Sequence, residues 1–155
     1  MNSIAMETQK NYARALKKMY LIELLGESLY IQMAKKERKT NLKNVFLRLA
    51  ENERVTGGRI QIELGSEVKG PSARIQRFIV GFASIIFQLV PLGFLFRSLK
   101  IILRKRMYSR WFESYEHFNP ILWQFLLSHE NLQHEQLTPY WGNLEDLWKK
   151  KKCSR

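Results

Sequence analysis

Acidic residues are missing from the middle of this 155-residue chain: none stands between Glu67 and Glu113, whereas nine lysines and arginines do. So one-sided a stretch cannot neutralise itself through ion pairs along a helix, and it attracts anionic surfaces or polyanions. Cysteine is almost absent as well. Cys153 is the only one, which excludes an intramolecular disulfide and a cysteine-built zinc site and fits a reducing, cytoplasmic setting. No stretch alternates at the strand period, so β-structure is not expected. Residues 1–7 lack a basic segment followed by an apolar one, so no secretory signal is expected there.

What the chain does have is an uncharged run of 19 residues, Phe78 to Phe96, inside that basic region. Such a run approaches the roughly 20 residues needed to cross a bilayer core. Basic residues flank it on both sides, which removes the asymmetry that orients a single span, and Pro91 breaks it. A shallow hairpin or in-plane helix pair is therefore expected. Phe78, Phe82, Phe87, Leu92, Phe94 and Phe96 would contact the membrane, and Arg77, Arg97, Lys100 and Arg104 would meet anionic headgroups. The plain alternative is a helix buried in the core of a bundle. A net charge of +12 also suits nucleic acid, but no zinc-finger, RNA-recognition or helix-turn-helix signature accompanies it, so nucleic acid is not the expected partner.

The rest reads as helices of one domain, residues 1–148, followed by a basic tail, 149–155. A first helix is expected over 3–38 and a second over 41–67, joined by a turn at Lys39-Thr40-Asn41. The apolar insert, about 73–103, follows Gly70-Pro71-Ser72, with Ser72 as N-cap. A third bundle helix is expected over 93–118, a fourth over 120–137 behind the cap-proline pair Asn119-Pro120, and a short terminal helix over 140–150. Two helical hairpins then flank the insert, and the fold class is all-α, a four-helix bundle.

Candidate chemistry lies where a charge interrupts an apolar stripe at helical spacing. On the first helix the row is Leu16, Met19, Tyr20, Glu23, Gly26, Tyr30, Met33. The second helix carries Phe46, Leu49, Ala50, Glu53, Thr56, Gly57, Ile60, and the fourth Trp123, Leu126, Glu130, Gln133, His134, Leu137. Buried carboxylates need a metal, a proton or a cationic partner such as Arg54. Glu23 and Glu53 stand equally far from the turn, so they should face each other across the hairpin. His129 is expected to be exposed beside Glu130.

These segments resemble the ferritin-like di-iron carboxylate superfamily: rubrerythrins, the ferritin-like domains attached to vacuolar-iron-transporter-type proteins, and demethoxyubiquinone hydroxylases. Glu23 with Tyr30 seven residues on is similar to the family's first helix, and Leu49 to Thr56 resembles its second-helix segment. Glu130 to His134 looks like half of its second site. Thr56 stands where the family has histidine, Gln133 where rubrerythrins have a ligand, and Tyr108 at the level where a third-helix carboxylate belongs.

The resemblance implies a ferritin-like bundle binding iron, as a di-iron or mononuclear site, or manganese, through Glu23, Glu53, Glu130 and His134. It also implies oxygen-dependent oxidation or hydroxylation. The expected setting is cytoplasmic, peripheral or monotopic on the inner face of a membrane, with membrane lipid, a membrane protein or a second copy as partner. The alternative is a catalytically inactive adaptor or accessory subunit of a membrane complex.

Overall fold

The computed structural model describes residues 3–65, 72–104 and 107–140, and every regular element among them is helical. In chain order these are α1 (Ser3–Lys36), α2 (Thr40–Leu64), α3 (Ala73–Leu89), α4 (Leu92–Arg104), α5 (Met107–Tyr115) and α6 (Pro120–Leu137), closed by a 3-10 turn, Thr138–Tyr140. The expected terminal helix, the basic tail and Cys153 lie outside the described residues.

The helix ends follow local chemistry. Gly65 stops α2 with φ 62°, a conformation that costs glycine little because it has no Cβ. The Ser72 hydroxyl accepts the Ile75 N–H at 3.4 Å at the start of α3. Asn119 Oδ1 accepts the Leu122 N–H at 3.0 Å, with Pro120 opening α6.

α1 and α2 form a long hairpin, with α3 and α4 against α1, α6 against α2, and α5 against α6. The single helix expected over 93–118 is instead two elements, α4 and α5, packed on different neighbours. The reason lies on α6. Glu130 accepts the backbone N–H groups of Tyr108 and Ser109 at 3.4 Å each, and the Ser109 hydroxyl at 2.9 Å. An anionic acceptor at those amides favours a helix N-terminus there.

The apolar stripes expected on α1 and α2 are buried, and they form two clusters. One holds Tyr30, Met33, Phe46 and Leu49 with Leu95, Phe96 and Leu99 from α4. The other holds Leu16, Met19 and Ile60 with Trp123 and Leu126 from α6. Between them in sequence along α1, α2 and α6 lie the buried polar residues Glu23, Glu53, Thr56, His129 and Gln133.

α3 shows its apolar side to the outside. It meets α1 through polar and small residues: Gln76 accepts from the Tyr20 hydroxyl at 3.2 Å, and Ser84 receives the Gln32 amide at 2.6 Å. Lys36 Nζ donates to the carbonyls of Phe87, at 2.6 Å, and Val90, closing the C-terminus of α3. Phe78, Phe82, Ile85 and Leu89 remain exposed, with Leu89 at 81%, and Phe94 and Ile101 of α4 are exposed as well.

Three of the expected membrane-contact residues turn wholly or partly inward. Phe96 is buried, its ring 5.7 Å from that of Phe46, because Leu95, Phe96 and Leu99 form the inward face of α4. Phe87 and Leu92 are half-buried against the same cluster. Arg77 and Arg97 are exposed, while the side chains of Lys100 and Arg104 lie outside the described set. No described helix is long and apolar enough to cross a membrane.

Candidate metal centre

Helical geometry puts Glu23 and Glu53 at one level of the α1/α2 hairpin, as their equal distance from the turn predicts. Both are buried, and His129 of α6 enters between them. Its Nε2 lies 3.5 Å from Glu23 Oε2 and 3.6 Å from Glu53 Oε2. One donor atom from each of the three lies within 4.8 Å of the others.

His129 is thus buried, not exposed, and it takes the place expected of His134. The α6 face that turns inward runs Leu122, Leu126, His129, Gln133, Leu137, stepping by three and four residues. That step was available in the sequence; Leu126 and Gln133 bracket His129 at i−3 and i+4. His134 lies outside the group, with its Nδ1 3.2 Å from Thr138 Oγ1 on the exposed side. Glu130 is buried but serves the N-terminus of α5. The expected metal ligands Glu23 and Glu53 are brought together; Glu130 and His134 are not.

Hydrogen bonds fix the imidazole. Gln133 Nε2 donates to Glu53 Oε1 and, at 2.8 Å, to His129 Nε2. An amide nitrogen has no lone pair to offer, so His129 Nε2 is the acceptor and Nδ1 carries the proton. That proton points to Thr56 Oγ1, 3.1 Å away. Thr56, standing where the resemblance leads one to expect a ligand histidine, instead orients a histidine supplied by α6. This tautomer, with Nδ1 protonated and Nε2 beside the carboxylates, is the one a metal ligand requires, and a cation at Nε2 would take the place of the Gln133 amide.

Among the described residues the carboxylates have no lysine or arginine partner. Arg54 turns outward to Glu51, with Nε–Oε2 2.8 Å, rather than to Glu53. Burial, with the Glu53 charge next in weight, pushes the Glu23 carboxyl well above the ordinary range. Burial and the same two carboxylates raise the Tyr30 phenol.

Three observations test whether a cation fits. Glu23 Oε2 is buried without a hydrogen bond. Gly26 leaves room for Glu53, since a Cβ there would meet its Cδ at 2.8 Å. The donors, two carboxylates and one imidazole, suit iron, manganese or zinc rather than a thiol-seeking ion. Bonds of about 2.0–2.2 Å to a shared centre place ligand atoms roughly 3–3.5 Å apart, near the His129 spacings. The residues fit a divalent cation.

Beside this group lies a cavity of about 500 Å³, whose lining includes Leu25, Phe87, Leu95 and Leu99 together with Glu23, Tyr30, Glu53, Tyr108 and Glu130. No protein-family model, curated protein or solved structure matches the chain.

Proposed function

We propose that this is a membrane-associated, ferritin-like helical protein that binds iron or manganese through Glu23, Glu53 and His129. The observation that carries the reading is the buried Glu23 oxygen without a hydrogen bond, facing a second carboxylate and the unprotonated nitrogen of an oriented imidazole. A divalent cation there would neutralise charge that otherwise costs several kcal/mol to bury. The exposed apolar face of α3 and α4 supports the membrane contact, with Arg74, Arg77 and Arg97 exposed near its ends to meet anionic headgroups.

Bound iron would supply reaction with oxygen, and the ferritin-like resemblance supports iron oxidation or hydroxylation of a membrane-dissolved molecule. The chain's own contribution is to hold His129 through Thr56, to exclude bulk water with the two apolar clusters, and to leave a cavity beside the carboxylates. Tyr30, a neutral phenol lining that cavity, offers a hydrogen bond to its contents.

A second reading, an inactive membrane adaptor, draws on Gln133. Its amide satisfies both Glu53 and His129 by hydrogen bonds alone. Elemental analysis of the full chain, purified in mild detergent from iron- and manganese-supplemented cells, separates the two. Near-stoichiometric metal that is lost in Glu53→Ala and His129→Asn, and retained in His134→Asn and Glu130→Gln, is expected. Absence of metal from the wild-type protein would leave the adaptor reading.

A further inference from the structure

The cavity beside the carboxylates shares its rim with the exposed apolar face. Ile86 of α3 and Phe94 of α4 line it, and they are 40% and 54% exposed, as Phe82 and Leu89 of α3 also are to 57% and 81%. Much of the remaining wall is aliphatic and aromatic, with Leu25, Phe87, Leu95 and Leu99. The lining residues least exposed to solvent include three with buried polar atoms that have no hydrogen-bond partner: Glu23 Oε2, the Tyr30 hydroxyl and the Tyr108 hydroxyl, which we take as the inner end. Buried polar atoms of this kind ordinarily find partners.

The other carboxylates of the wall are already engaged, Glu53 by Gln133 and Glu130 by Tyr108 and Ser109. Among the described residues no lysine or arginine lines the cavity. An anionic head would therefore meet carboxylates with nothing to pair it. A cationic head would compete with the metal proposed for Glu23 and Glu53. An uncharged hydroxyl, one donor and two acceptor lone pairs, matches what the inner end lacks. The volume falls in the range of sites for one small molecule.

We infer that this cavity binds an uncharged, single-chain amphiphile of the long-chain alcohol class, which enters from the membrane side between α3 and α4 and places its hydroxyl against Tyr30 and Tyr108. The inference deepens the proposed function and rests on its reading of the apolar face as the membrane side. It does not need the metal.

The test titrates 1-decanol below its solubility limit, and decanoate and decylammonium below their micelle concentrations, into the full-length protein by calorimetry, with metal content measured on the same samples. Saturable one-to-one binding of decanol, at least tenfold tighter than of either charged analogue, is expected. Ser98→Trp from the α4 wall and Leu25→Trp from the α1 wall should each weaken it at least tenfold, with helical circular dichroism and vesicle binding retained. Two variants on opposite walls guard against misfolding of either one. Unsaturable binding, equal affinity for a charged analogue, or undiminished binding by both folded variants would overturn the inference. Decanol binding by a preparation free of metal would sustain it while removing the metal reading.

Discussion

Thr56 Oγ1 of α2 lies 3.1 Å from Nδ1 of His129 on α6, a buried contact between residues 73 apart in the chain. It fixes which imidazole nitrogen faces Glu23 and Glu53. Thr56→Val keeps the shape and leaves the Nδ1 proton unpaired, which should cost about 1–3 kcal/mol of stability. Loss of an orienting partner should also weaken manganese binding roughly 10- to 100-fold. Denaturant unfolding and manganese titration check the two parts, and Thr56→Ser should restore most of both.

Two helical glycines should respond oppositely to alanine. At Gly58 nothing lies within 4 Å of an added Cβ, so Gly58→Ala should stabilise by about 0.5–1 kcal/mol. At Gly26 the added Cβ would stand 2.8 Å from Glu53 Cδ, so overpacking of about 1–3 kcal/mol outweighs the same helix gain. Gly26→Ala should also displace Glu53 and lower metal occupancy. Parallel thermal melts and elemental analysis provide the comparison.

The raised Glu23 carboxyl predicts an opposite pH response with and without metal. In the metal-free protein its contribution to stability is full below the ordinary carboxyl value of 4.5 and is lost as pH rises through the higher folded value. The metal-free melting temperature should therefore decline from about pH 5 upward. Metal binding must displace the Glu23 proton, so affinity should strengthen with pH and roughly one proton should be released per ion bound. Calorimetry in buffers of different ionisation enthalpy measures that proton, and proton release that persists unchanged in Glu23→Gln would mean that Glu23 is not its source.

Gln133 discriminates the metal site from the inactive alternative. Gln133→Leu leaves Glu53 Oε1 and His129 Nε2 without the amide that bridges them. The metal-free variant should lose about 1–3 kcal/mol. If the donors hold a cation, added manganese should recover most of that loss, as a larger rise in melting temperature than in the wild type. No recovery would favour the adaptor.

The membrane face makes a prediction about association rather than stability. Phe78, Phe82 and Leu89 are 73%, 57% and 81% exposed, so serine at each should leave the fold intact. Each should weaken binding to anionic vesicles, by about tenfold if roughly 1.4 kcal/mol of apolar transfer is lost. Arg74→Ser and Arg97→Ser should each weaken it about fivefold, from about 1 kcal/mol per basic residue, and only at low salt. Vesicle co-sedimentation measures both, and unchanged partitioning in the triple serine variant would sink the membrane reading.

The sequence by itself determined the helical class, the α1/α2 hairpin and the meeting of Glu23 with Glu53, because each depends on local periodicity or on equal rise along two helices from one turn. Cap signals at Ser72 and Asn119 likewise placed the starts of α3 and α6. Only the tertiary structure decided which face of each later helix turns inward. His129 and His134 both lie near the same stripe of α6, and packing against α2 chose the one beside Thr56. Phe96 and Phe94 sit two residues apart in one uncharged run, and the rotation of α4 buried the first against Phe46 and left the second exposed. Glu130 reads as a ligand from the family resemblance, yet amides of α5, 21 and 22 residues away, claimed it. Such choices rest on contacts between elements distant in the chain, which a one-dimensional pattern does not contain.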